Sequence, residues 1–293
     1  MTDFTSIPCS PPSSTEPLRL AEPVWRAREQ AHGDRVRPWV QTHLDRQARH
    51  EAHPVGDFLF EYYSFRPAQL IRWSPGIHVI LENGPAPLSP ADFPYERLPA
   101  LRWIQGLLQA TTDRPPQFNC FGLHEWAMIY ETAERRHPQL PLRLSPAVVD
   151  DFVRSQGIGC THYDAVRFFT PSARPLNRFQ PARATQAASE QPGCLHANMD
   201  LYKWAYKFWP WISSELVAEA FELALAAREL DMRASPYDLR ALGYAPIAIE
   251  TAAGRAEYQH AQRMLAGAAA SLRERLRVAY AALADWSQRM SSL

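Results

Sequence analysis

The segment Gly193-Cys194-Leu195-His196-Ala197-Asn198-Met199-Asp200-Leu201-Tyr202-Lys203-Trp204-Ala205-Tyr206-Lys207 brings a thiol, an imidazole, a carboxylate, two phenols and two amines into fifteen residues. It also holds the only two lysines of the chain, against 29 arginines. An Arg-, Ala- and Pro-rich composition reflects a coding bias that drives surface Lys toward Arg. Lysines retained under that bias mark positions where an ammonium, able to deprotonate and attack a carbonyl carbon, serves better than a guanidinium. The plainer reading is two lysines left by chance on a helix. In a helix, His196, Asp200, Lys203 and Lys207 fall at i, i+4, i+7 and i+11 and share one stripe, with Leu195, Met199, Tyr202 and Tyr206 on an apolar stripe beside it.

Two upstream pieces are related. Cys120-Phe121-Gly122-Leu123-His124-Glu125 couples a Cys to a His-Glu pair, and Cys160-Thr161-His162-Tyr163-Asp164 repeats the Cys-x-His of Cys194 and His196. One reading is a metal site on His124, His162 and His196, completed by Glu125, Asp164 or Asp200. Two histidines and a carboxylate suit non-haem Fe, while His, Cys and a carboxylate suit Zn. The pattern lacks the second His of an HExxH motif and any CxxC pair. Cys and His buried as ordinary core side chains explain the same residues.

A second reading needs no metal. Asp164 or Asp200 acts as general base or stabilises a developing cation, His162 or His196 moves a proton, Lys203 forms a Schiff base, and Glu125 is a further catalytic candidate. Trp126, Tyr163, Phe168, Phe169, Tyr202 and Trp204 then offer stacking surface to a planar substrate, with Arg167 as a polar contact. Core packing is the alternative role for most of these rings.

Positioning these groups falls to a chain of 293 residues, 46% apolar and 21% charged, ordinary for a globular protein. Net charge is zero, which argues against nucleic-acid binding through global electrostatics but leaves room for a local Arg-lined groove. No apolar run is long enough for a transmembrane helix, so no membrane association is expected. Residues 1–23 are Ser- and Pro-rich and read as a disordered leader, with a single domain over 24–293. Four cysteines, three of them in the motifs above, fit a reducing cytoplasm better than a disulfide framework.

The patterning predicts a mainly α fold, a compact multi-helix domain with few short strands. Helices are expected over residues 22–50, interrupted near Gly33 and Pro38, and over 57–73, broken at Pro67. Further helices are expected at 101–110, 121–134, 146–155 and 213–231, the last capped by Ser213 or Ser214. Residues 254–290 read as one long helix, with Gly267 as the one place where a break could fall. Short strands are expected at 78–81 and 247–249. Residues 170–192 form a long polar connection of the kind that is functional or flexible.

Several motifs carry a resemblance. They are Phe118-Asn119-Cys120-Phe121-Gly122-Leu123-His124-Glu125-Trp126, Thr161-His162-Tyr163-Asp164 with Arg167-Phe168-Phe169, Gln191 through Lys203, His53-Pro54-Val55 with Asp57-Phe58-Leu59-Phe60, and Leu230-Asp231-Met232-Arg233-Ala234-Ser235-Pro236. Together, over residues 25–277, the chain resembles a bacterial, mainly actinobacterial family usually labelled 3-methyladenine DNA glycosylase. The resemblance implies cleavage of an N-glycosidic bond in damaged DNA, with no cofactor. The enzyme extrudes an alkylated purine, stacks it and stabilises an oxocarbenium-like sugar with one carboxylate, Asp164 or Asp200. The Gly-rich hairpin of helix-hairpin-helix glycosylases has no counterpart here. Three functions therefore stand: a glycosylase, a metal-dependent enzyme (Fe or Zn) acting on a small molecule or modified nucleobase, and a non-enzymatic helical interaction protein.

Overall fold

Helix α10 (Ser214–Ala234) begins where the Ser213 hydroxyl accepts the Leu216 N–H, the N-cap expected from sequence. Its buried positions include Ala218, Ala220, Ala224 and Ala227, whose small side chains let neighbouring helices approach closely. Against it packs α9 (Leu195–Lys207), the most extensive helix pairing of the molecule. Phe221 of α10 meets Tyr202 of α9 edge-on at 5.1 Å between ring centroids. The 37-residue helix α11 (Ala252–Gln288) lies across both. It buries Tyr258, Gln262, Ala269, Leu272, Leu276, Tyr280 and Leu283, steps of three, four and seven residues that keep one stripe inward.

The computed structural model describes residues 17–288, among which eleven α-helices and two short strands are found. Strand β1 (Leu18–Leu20) pairs in parallel with β2 (Val79–Leu81), Leu18 opposite Val79. Of the expected leader, residues 1–16 lie outside the described residues, whereas Leu18–Leu20 are strand and Glu22 opens α1 (Glu22–Ala48). The remaining helices are α2 (Phe58–Tyr62), α3 (Pro67–Ile71), α4 (Leu98–Thr112), α5 (Leu123–Ala127), α6 (Pro146–Gln156), α7 (Tyr163–Val166) and α8 (Gln186–Ser189).

Several expected boundaries move. Helix α1 runs unbroken through Gly33 and Pro38. Pro38 is exposed, so the carbonyl it leaves without an N–H partner can face water, and the usual cost of an interior proline is reduced. Helix α11 likewise passes Gly267, beside which a Cβ would meet nothing within 4 Å. The helix expected over 121–134 shrinks to α5, because Phe121 and Gly122 hold positive φ at one end and Glu131 does so beyond the other. Residues 247–249 are not a strand: the Ile249 N–H turns back to the Ile247 carbonyl and the Ile247 N–H reaches Arg233.

The connection over 170–192 is pinned along its length. Asn177 exchanges side-chain hydrogen bonds with both backbone groups of Cys160, and the Gln191 carboxamide oxygen accepts from the Gln117 and Gly193 amides. These bonds fix the chain just before His162, the N-cap of α7, and just before α9, which carries His196.

Candidate functional site

Four short pieces of chain deliver the ionisable groups to one region. The first is α5. Gly122 adopts φ +69, a left-handed conformation open to glycine, and so turns the chain directly into the helix carrying His124 and Glu125. Trp126 anchors that helix, donating its indole N–H to the Ala234 carbonyl at 2.9 Å. The second piece is α10, where Arg228 and Asp231 sit three residues apart on the buried face. The third is α7, with His162 at its N-cap and Asp164 in its first turn. The fourth is α9, with His196, Asp200 and Lys203.

Two groups of ligating atoms result, His124 with His196 and Asp231, and His162 with Asp164 and Asp200, each set within 4.8 Å of one another. In the first, His124 Nε2 lies 3.0 Å and His196 Nε2 4.0 Å from Asp231 Oδ2. Glu125 Oε1 is 3.7 Å from His124 Nε2. Arg228 bridges the acids, its Nη1 donating to Glu125 Oε1 at 2.7 Å and to Asp231 Oδ2 at 2.9 Å. Asp231 Oδ1 and Glu125 Oε2 are buried and accept no hydrogen bond.

In the second group, His162 Nε2 is 3.8 Å from Asp200 Oδ2, and its Nδ1 is 3.1 Å from Glu190 Oε1. Lys203 Nζ sits 3.1 Å from Asp164 Oδ2 and 3.3 Å from Asp200 Oδ2. The Tyr63 hydroxyl donates to Asp200 Oδ1 at 2.7 Å. The two groups adjoin: the His162 and His196 rings stack at 5.6 Å, and His196 meets His124 edge-on at 4.2 Å.

Electrostatics divides the histidines by role. Burial disfavours the His124 imidazolium, but Asp231 and Glu125 outweigh it and raise the pKa to about 9. Burial also opposes His162, which Glu190 nevertheless raises. His196 is pushed well below its ordinary value by burial, reinforced by His124 and His162, so it stands as a neutral imidazole with a lone pair to give. Burial opposes the Glu125 carboxylate too, yet Arg228 and His124 hold it ionised. For Asp200, burial prevails over Lys203 and raises the pKa.

The groups expected from sequence divide accordingly. His124, His162, His196, Asp164, Asp200 and Lys203 come together, and Glu125 joins them through Arg228. Trp126, Tyr202 and Trp204 are buried in the core, not presented to a ligand, because each packs between helices. Trp204, for example, meets the Trp103 ring at 5.7 Å. Tyr163 is half-buried and Phe169 buried. Arg167 is exposed at a pocket of about 260 Å³ lined by Tyr62, Tyr63, Phe65, Asp164, Lys203 and Lys207. Lys203 is a poor nucleophile in this state. Burial alone would lower its pKa, but Asp200 and Asp164 raise it above the usual lysine value and keep the amine protonated.

Sequence reasoning missed Asp231, Arg228, Glu190 and Tyr63 as site residues. Asp231 and Arg228 carried a readable signal, since a charged pair three residues apart falls within the apolar register of α10. Glu190 and Tyr63 carried none, being isolated polar residues in a connection and just past a short aromatic helix. Among the described residues no helix is long and apolar enough to cross a membrane. No protein-family model, no functionally described protein and no solved structure matches the chain.

Proposed function

We propose that the protein is a metal-dependent enzyme whose ion is held by His124, His196 and Asp231, with Glu125 beside them. One observation carries this reading. Asp231 Oδ1, a buried carboxylate oxygen without any hydrogen-bond partner, belongs to the same group as a neutral His196, and the equally unpartnered Glu125 Oε2 sits on the residue next to His124. A buried, unpartnered carboxylate oxygen costs on the order of 1–3 kcal/mol or more, and a cation is a natural partner for it. Two histidines and a carboxylate, leaving positions open for water or substrate, suit Fe(II) or Zn(II). An ion held by these residues would supply Lewis acidity at the site. His162, which stacks on His196, brings Asp200 and Lys203 beside this centre, so that proton-accepting and cationic groups stand on its flank.

Metal analysis of protein reconstituted with Fe(II) or Zn(II) tests the reading. The expected result is about one tightly held ion per chain, lost in both His196→Ala and Asp231→Asn, as removal of a ligand requires. Wild-type protein that retains no ion after reconstitution would sink it.

A second reading follows the family resemblance: excision of an alkylated purine from DNA. The pocket of Tyr62, Tyr63 and Phe65 supports it, since aromatic rings beside the Asp164 carboxylate suit an extruded base. This reading expects release of 3-methyladenine from methylated DNA, unaffected by chelators and abolished by Asp164→Asn. Absence of base release by wild-type protein counts against it.

A further inference from the structure

The pocket beside the last two turns of α9 combines two chemistries. Tyr62, Tyr63 and Phe65 give it aromatic surface, while Arg167, Lys203 and Lys207 give it cations. Both lysines of the chain are therefore here. Lys203 is committed to Asp164 and Asp200. Arg167 stands 3.5 Å from Asp164, which Lys203 already engages, and its guanidinium lies 4.5 Å over the Phe168 ring. Lys207 has no acidic partner among the described residues. Partial burial, followed by the positive charges of Arg97, Lys203 and Arg183, disfavours its ammonium. Cations thus outnumber acids around the opening, an arrangement that is unfavourable unless an anion joins it.

We propose that this pocket binds a phosphate monoester carrying a ring, its phosphate held by Lys207 and Arg167 and its ring laid against Tyr62 and Phe65. A dianionic phosphate satisfies both cations, whereas a carboxylate carries charge for only one. Arginine offers paired donors to phosphate oxygens and lysine a mobile point charge, a division that phosphate sites commonly use. The volume of about 260 Å³ accommodates a single ring with its phosphate and leaves much space unfilled around a bare phosphate ion. The binding site depends only on the residues of the pocket. Its role as the substrate subsite rests on the metal-dependent reading, because Asp164 belongs both to this pocket and to the second His/carboxylate group.

Calorimetric titration with phenyl phosphate, inorganic phosphate, benzoate and phenol tests the assignment, on chelator-treated and on metal-reconstituted full-length protein. Phenyl phosphate is expected to bind, and Lys207→Ala and Arg167→Ala are each expected to weaken it by about tenfold or more. Both residues are exposed, so circular dichroism should show unchanged folding. Inorganic phosphate, benzoate and phenol are each expected to bind more weakly than phenyl phosphate. The proposal is overturned if phenyl phosphate binds neither form, if both variants bind it like wild type, or if benzoate binds equally well. Equal binding of inorganic phosphate overturns the ring contact. Protein that binds phenyl phosphate but retains no metal upholds this pocket and removes the metal reading. Protein that retains metal but ignores phenyl phosphate does the reverse.

Discussion

Arg228 is the side chain on which the buried charges balance. It is 1% exposed, donates to Glu125, Asp231 and the Pro54 carbonyl, and lies 3.9 Å over the Phe58 ring. Arg228→Met keeps much of the volume and removes the charge, leaving two buried acids facing each other beside His124. Breaking a buried ion pair from one side costs about 3–5 kcal/mol, so urea denaturation should show a loss of that size in metal-free protein. Reconstitution with a divalent ion should restore part of it, since the ion takes over the neutralising role. A variant as stable as wild type without metal would show that Arg228 does not hold these buried groups together.

Among elements, α9 depends on how the chain enters it. Gly193 donates its N–H to Gln191 and accepts from Gln262 at 2.7 Å, and a Cβ there would collide with the Gln117 backbone. Gly193→Ala therefore displaces the loop that seats His196, with an expected cost of about 1–3 kcal/mol in thermal or urea unfolding. Unchanged stability would mean that the Gln117 strand of chain yields freely. The same helix shows how far the sequence was readable. The His196, Asp200 and Lys203 stripe was legible because 3.6-residue periodicity is local. The pairing of His124 with Asp231 spans 107 residues, and no local pattern encodes a contact of that range. Pro38 and Gly267 misled for the opposite reason: both are breakers by intrinsic propensity, overridden because neither position obstructs its neighbours in the folded chain.

For the whole molecule, protonation of the site is linked to stability. The His124 pKa rises from an ordinary 6.5 to about 9 in the metal-free protein. Its stabilising contribution is therefore fully present below pH 6.5 and is lost as pH climbs through about 9. With a metal held, the same imidazole would be kept neutral for as long as the ion stays bound, and that loss would not occur. Melting temperature should thus fall between pH 6 and pH 9 in chelator-treated protein and change less in the reconstituted form, differences on the scale of one titrating group. Identical slopes in the two forms would count against His124 as a ligand. The overall helical architecture was legible because long amphipathic helices announce themselves in periodicity. The meeting of four pieces was not, because it is fixed by the packing of α9, α10 and α11.

The connection over residues 170–192 divides the ligands as well as the chain. His124, Glu125, His162 and Asp164 precede it, while His196, Asp200, Lys203, Arg228 and Asp231 follow it. Neither part alone holds a complete set. A nick at the exposed Arg178-Phe179-Gln180 stretch would leave two fragments whose reunion is required before an ion can be gripped, so metal uptake would become a direct reporter of fragment complementation.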